Sequence, residues 1–90
     1  MKFKKPRFFT QSGEFLKRKR IEANLTQREV TEFIGYTSAQ FISNFENGLI
    51  PPPSVKLSKL CKIIKADPEE YLRIWMQEEF ERRVAMLKAK

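Results

Sequence analysis

Gln40, Ser43, Asn44 and Asn47 stand at i, i+3, i+4 and i+7, the spacing that sets side chains on one face of a helix. Each amide carries a donor beside an acceptor, so Gln and Asn can bond an adenine edge at two points, and Ala39, just before them, can meet a thymine methyl. An exposed row of Gln, Ser and Asn has no packing use, which makes contact with base edges the chemistry it suits. The row has no charge of its own, because neither Lys nor Arg occurs between Phe33 and Pro53. Attraction to an anion must come from backbone donors at helix starts, or from Lys17, Lys19, Arg28, Lys56 and the first residues of the chain. Tyr36, just ahead of the row, has a hydroxyl that can reach a phosphate and a ring that can equally pack.

Other chemistries are excluded by what is missing. The 90 residues contain no His and a single Cys, Cys61, which removes disulfides, zinc clusters, Cys/His nucleophile pairs and the commonest base at neutral pH. No catalytic residue, metal site or cofactor is expected, and the chain reads as a non-enzyme. Cys61 falls on an apolar helical stripe, where a thiol acts as a small buried hydrophobe.

Length, 41% hydrophobic and 12% aromatic content describe one small folded domain, and 18 Lys and Arg against 11 Asp and Glu give +7, an invitation to a negatively charged partner. No apolar run approaches the roughly 18 residues of a membrane span. The start Met1-Lys2-Phe3-Lys4-Lys5 meets Pro6-Arg7 instead of a signal-peptide core, so a cytoplasmic protein with no membrane partner is expected. The charge is uneven: Met1 to Arg20 holds eight basic residues and one acid, Glu14. Residues 1–11 read as a basic aromatic arm. Its Lys2, Lys4, Lys5 and Arg7 can track phosphates or enter a minor groove, or can serve as a solubilising tail. Phe3, Phe8 and Phe9 are too apolar to float, so at least one is expected to dock.

Five helices are expected to position these groups. The first is capped by Ser12, carries Phe15, Leu16, Lys19, Arg20 and Ala23 on one face and ends at Asn24. The second opens on the capping box Thr26-Gln27-Arg28-Glu29, buries Val30, Phe33 and Ile34, and stops at Gly35. The third is capped by Thr37 or Ser38, packs Phe41, Ile42 and Phe45 inward and ends at Gly48. Pro51-Pro52-Pro53 forces an extended connector, Ser54 caps the fourth, and Leu57, Leu60, Cys61 and Ile64 form its stripe. Asp67-Pro68-Glu69-Glu70 starts the fifth with a cap, an N1 proline and acids that suit the dipole.

Leu16, Arg20, Leu25-Thr26-Gln27, Gly35, Ile42, Phe45-Glu46-Asn47-Gly48 and the later Pro-Ser before an apolar helix resemble the phage-repressor and Cro type, the XRE family of bacterial helix-turn-helix regulators, over about residues 12–74. The resemblance implies an all-α, lambda-repressor-like five-helix bundle that binds double-stranded DNA, with the helix starting near Ser38 laid in the major groove. It also implies that Ala39, Gln40 and Asn44, with Ser43 beside them, meet bases. Gln27 and Asn47 match phosphate contacts, joined by Arg28, Thr37, Ser38 and the arm cations. Arg20 and Glu46 match a partly buried structural ion pair. Two departures are present: Thr31 stands where the family usually has Ala, and the turn after Gly35 is one residue longer, which leaves the register of the recognition helix open by one position.

The fifth helix meets neither Gly nor Pro from Glu69 to Lys90 and can run about twenty residues, well beyond the mean of about 11–12. Leu72, Trp75 and Met76 are expected to join the core. A small domain cannot cover a helix of about 30 Å along its length, so Met76, Phe80, Val84 and Leu87 need another surface. That surface is a homodimer seam, a groove for the Phe-rich arm, or a docking face for another protein. Dimerisation is the use that fits reading of paired half-sites. The organisation expected is an arm over 1–11, a DNA-binding domain over 12–74 and a C-terminal extension over 75–90. The function expected is a sequence-specific transcriptional regulator in the cytoplasm of a bacterium or phage-infected cell, associated with the nucleoid. The alternative is a protein-interaction module or antitoxin-like adaptor on the same fold, with its partner on the C-terminal helix.

Overall fold

The computed structural model describes residues 10–89, which form α1 (Thr10–Glu22), α2 (Gln27–Ile34), α3 (Gln40–Glu46), α4 (Ser54–Ile64) and α5 (Pro68–Lys88). The all-α fold with a helix-turn-helix expected from the sequence is the fold observed. Lys2, Lys4, Lys5 and Arg7, with Phe3, Phe8 and Phe9, lie outside the described residues.

Local punctuation explains most boundaries. Thr26 Oγ1 accepts the Glu29 N–H at 3.0 Å while the Glu29 carboxylate accepts the Thr26 N–H at 2.8 Å, closing the capping box of α2. Gly35 ends that helix at φ +89°, a conformation that favours glycine. Asn24 ends α1 at φ +62°, and Asp67 caps α5 by accepting the Glu69 N–H at 3.0 Å ahead of Pro68.

The core joins all five helices: Phe15 and Leu16 of α1, Val30 and Ile34 of α2, Ile42 and Phe45 of α3, the stripe of α4, and Tyr71 of α5. Helix α1 is central, packed against α3, α4 and α5. Its contact with α3 is close enough to require Gly13. A Cβ there would lie 2.6 Å from the Glu46 carbonyl oxygen and 2.8 Å from that of Phe45. Burial pushes the Cys61 thiol up to about 11, with Asp67 adding to the shift. Burial likewise raises the Tyr71 phenol.

Several expectations are corrected. Helix α1 begins at Thr10, and Ser12 lies buried inside its first turn. Its cap comes from the far end of the chain: the Glu78 carboxylate of α5 accepts the Ser12 hydroxyl at 2.6 Å, the Ser12 N–H at 3.1 Å and the Gln11 N–H. Ser54 is the first residue of α4 and Pro53 takes the cap position without a side-chain bond. Phe33 points outward, 64% exposed, and Thr31 takes the buried position, its hydroxyl donating to the Gln27 carbonyl at 2.7 Å. Phe41 is 41% exposed because it lies against Tyr36 instead of entering the core. On α5 the buried residue is Tyr71, with Ile74 and Trp75 packed beside it, whereas Leu72 and Met76 face out. Tyr71 and Phe80 stand about two and a half turns apart, on opposite sides of the helix. Leu72, Met76, Phe80 and Leu87 therefore make an exposed apolar stripe away from the domain, with Val84 half-buried.

Candidate nucleic-acid interface

Helix α3 has only 7 residues, too few to persist alone in water, so its neighbours must hold both of its ends. The last turn is held by the buried Glu46 carboxylate. Arg20 Nε donates to it at 2.6 Å, Arg20 Nη2 at 3.1 Å and Gln27 Nε2 at 2.9 Å, and Arg20 Nη1 reaches the Leu25 carbonyl at 2.7 Å. This one carboxylate joins α1, α2 and α3, while Gly13 brings the backbones together behind it.

The first turn is held differently. Ala39 takes the cap position with no side-chain bond, and Ser38 Oγ accepts the Gln40 N–H at 3.1 Å. The Tyr36 ring stacks on Phe41 at 4.4 Å and 15° and tilts against Phe45 at 6.1 Å. Lys56 reaches across from α4, its Nζ 4.7 Å from the Tyr36 ring centroid and donating to the Ile34 carbonyl at 2.9 Å. That carbonyl lies in the last turn of α2, which has no partner within the helix. Burial raises the Tyr36 phenol above its usual value.

Between these two anchors the polar row of α3 is tied together in pairs. Gln40 Nε2 donates to Asn44 Oδ1 at 2.8 Å, and Asn47 Nδ2 donates to Ser43 Oγ at 3.1 Å. Gln40 and Asn47 are exposed, while Ala39, Ser43 and Asn44 are half-buried. The first pair ties one amide to the other and the second ties the Asn47 amide to the Ser43 hydroxyl, and each still presents an acceptor and N–H groups outward.

The remaining candidate residues lie on α2 and in the turn ahead of α3. Thr37 and Ser38 are exposed in the turn ahead of α3. Gln27, half-buried at the start of α2, gives one amide N–H to Glu46. Arg28 is exposed, 3.9 Å from Glu32. From Gln27 to Glu46 the chain holds Arg28 against Glu29, Glu32 and Glu46, a net negative segment once charges are summed. Glu46 is internally neutralised by Arg20 and Glu29 is engaged in the capping box.

Two groups that hold the helices in place escape the reading of spacing. Glu78 reaches Ser12 of α1 from 66 residues away, and Lys56 reaches Tyr36 from α4, so although Lys56, Tyr36 and Phe41 are each named from the sequence, their stacking is not. Among the described residues no group of three or more His, Cys, Asp or Glu is arranged to hold a metal ion, and no helix is long and apolar enough to cross a membrane. No curated protein matches the chain. Residues 11–73, well over half of the sequence, match the helix-turn-helix domain family, and the chain belongs to that family, one of the XRE-like group.

Proposed function

We propose that this protein is a sequence-specific DNA-binding regulator of transcription and not an enzyme. The observation that carries the reading is the paired amide and hydroxyl row on the outer face of α3, in a helix-turn-helix domain. In the major groove, Gln40 and Asn44 bond base edges, Ser43 bonds beside them, and Ala39 lies against a thymine methyl. Gln27, Arg28, Thr37, Ser38 and Asn47 hold phosphates, assisted by the N-terminus of α2. Because the α2–α3 segment has so few cations, Lys2, Lys4, Lys5 and Arg7 of the arm supply much of the affinity. Gln40→Ala and Asn44→Ala should each remove about 1–3 kcal/mol of discrimination between the preferred and a random duplex. Neutralising Lys4 and Lys5 should weaken every sequence alike and lower the salt slope by about one per contact. If both kinds of substitution act alike, the assigned roles fail.

The outer stripe of α5 pairs two copies, each reading one half-site. A second copy lays the same stripe of Leu72, Met76, Phe80, Val84 and Leu87 against it as the seam. Light scattering should give the mass of a dimer for the full chain and of a monomer for Phe80→Glu with Leu87→Glu; equal masses would remove the pairing. Such a regulator works in the cytoplasm, on the nucleoid of a bacterium or phage-infected cell.

A second reading, a protein-interaction module or antitoxin-like adaptor, is favoured by one observation: the α2–α3 segment is net negative while α5 exposes its stripe. An adaptor would enrich no DNA sequence from a random pool.

A further inference from the structure

Three cohesive contacts meet where α2 turns into α3, at the edge of the core, where Tyr36 also leans on the buried Phe45. Lys56 is in α4, outside the helix-turn-helix, yet its ammonium satisfies the last turn of α2 and covers one aromatic ring of the turn. The ring beneath it, Tyr36, is stacked face to face on Phe41. Phe41 is the residue after Gln40, and its partial exposure shows that the core does not fix it. The order in space is thus cation, turn aromatic, first turn of α3, and then the amide pair Gln40–Asn44.

We propose that Lys56 and Tyr36 are positioning residues that set sequence discrimination without touching DNA: the cation–ring–ring stack fixes the angle at which the first turn of α3 presents Gln40. The proposal rests on the reading of α3 as the base-reading helix. A 7-residue helix whose cap residue makes no side-chain bond, and whose first turn has only the exposed Ser38 hydroxyl as side-chain acceptor for the Gln40 N–H, frays from that turn unless something outside holds it. Fraying there displaces Gln40 while leaving Asn47 and the Glu46 anchor in place. Base-edge bonds need defined geometry, whereas phosphate contacts from flexible cations do not. Loosening the stack therefore costs specific binding more than binding to random sequence.

The test uses the full chain, a duplex enriched by the wild type from a random pool, and a random duplex at the same salt. Lys56→Met keeps the aliphatic stem and removes both the charge and the donor. Tyr36→Leu removes the ring. Each should lower the ratio of specific to random affinity by about fivefold to tenfold, the order expected for one lost cation–ring contact with one lost hydrogen bond, or for one lost aromatic pair. Lys56→Arg and Tyr36→Phe preserve those contacts and should restore the ratio to within about twofold. Residues that merely stabilise the fold would lower both affinities together, and the conservative variants would then make no difference to the ratio; that result, or an unchanged ratio in Lys56→Met, overturns the proposal.

Amide exchange supplies a readout independent of DNA. The Ser43 N–H, bonded to the Ala39 carbonyl at 3.0 Å, should lose protection in Lys56→Met and keep it in Lys56→Arg, while the Asn47 N–H, bonded to Ser43 at 2.8 Å, stays protected in both. Equal protection of Ser43 in the two variants overturns the stack as an anchor. Should the wild type enrich no duplex, the reading of α3 as a base reader fails, and the exchange comparison alone decides whether the stack holds the helix.

Discussion

Removing the Glu46 side chain should cost stability before it costs specificity. The Arg20 and Glu46 side chains are only 11% and 4% exposed, and the carboxylate takes two bonds from the guanidinium and one from Gln27. Glu46→Ala leaves the guanidinium buried, with the Leu25 carbonyl as its one remaining partner among those bonds. Stranding one member of a buried pair costs about 3–5 kcal/mol. At about 0.05–0.15 kcal/mol per residue, a domain of this size holds only about 4–12 kcal/mol in all. With about 4–8 °C of Tm for each kcal/mol, the variant should melt at least about 12 °C below the wild type in a circular dichroism scan. Replacing both partners, Arg20→Met with Glu46→Leu, removes the stranded charge, and most of the loss should return. At low temperature, where Glu46→Ala remains folded, its preference between specific and random duplexes should equal that of the wild type. A melt within about 3 °C of the wild type would mean that the Arg20–Glu46 pair does not anchor α3, because a buried pair of this geometry cannot be deleted at so small a cost. Lost discrimination without lost stability would instead put Glu46 on the DNA.

Three further outcomes follow from the packing. Gly13→Ala gains about 1 kcal/mol of helix propensity but drives a methyl against two carbonyl oxygens of α3, so denaturant titration should show a net loss of about 1–2 kcal/mol; a stabilised variant would mean that the two helices separate freely. Glu78→Ala deprives the α1 N-terminus of its acceptor for two backbone amides and the Ser12 hydroxyl and should cost about 1–2 kcal/mol, with exchange of the Ser12 amide accelerated before that of α4. The Cys61 thiol is raised by burial and then by Asp67 from its ordinary 9.0 to about 11. Unfolding frees it to ionise, so stability is intact below the first value and falls as pH climbs toward the second, by up to about 3 kcal/mol. Melts of the wild type and Cys61→Ala from pH 8 to 11 should therefore converge, and parallel curves would refute the burial argument.

Helix punctuation was the most legible feature of the sequence, because caps are local. Thr26 with Glu29, Gly35, Asn24 and Asp67-Pro68 each do in the structure what their types and spacing require. The stripe of α4 was equally plain, since its apolar residues occupy one face only. Helix α5 was not, because Tyr71, Leu72, Ile74, Trp75 and Met76 are apolar around much of its circumference and periodicity cannot say which side meets the domain. Phe33 and Thr31 misled for a related reason. A threonine whose hydroxyl bonds back to the preceding turn can be buried at little cost, which frees the phenylalanine to face outward. The Glu78 cap and the Lys56 stack join residues brought together only by tertiary packing, and no window along the chain contains them. At the candidate interface the row on α3 was readable as a set of residue types, whereas its pairing into Gln40–Asn44 and Ser43–Asn47 needed coordinates.

In the function proposed, the uncharged face of α3 chooses a DNA sequence while cations elsewhere supply affinity. Sequencing the duplexes that the full chain retains from a random pool, at a low and a moderate salt concentration, tests it most directly. The expected outcome is a defined motif that survives the higher salt while total binding falls, and that is lost in Gln40→Ala with Asn44→Ala. Retention of random sequence at both salts, or the same motif from the double variant, would contradict it.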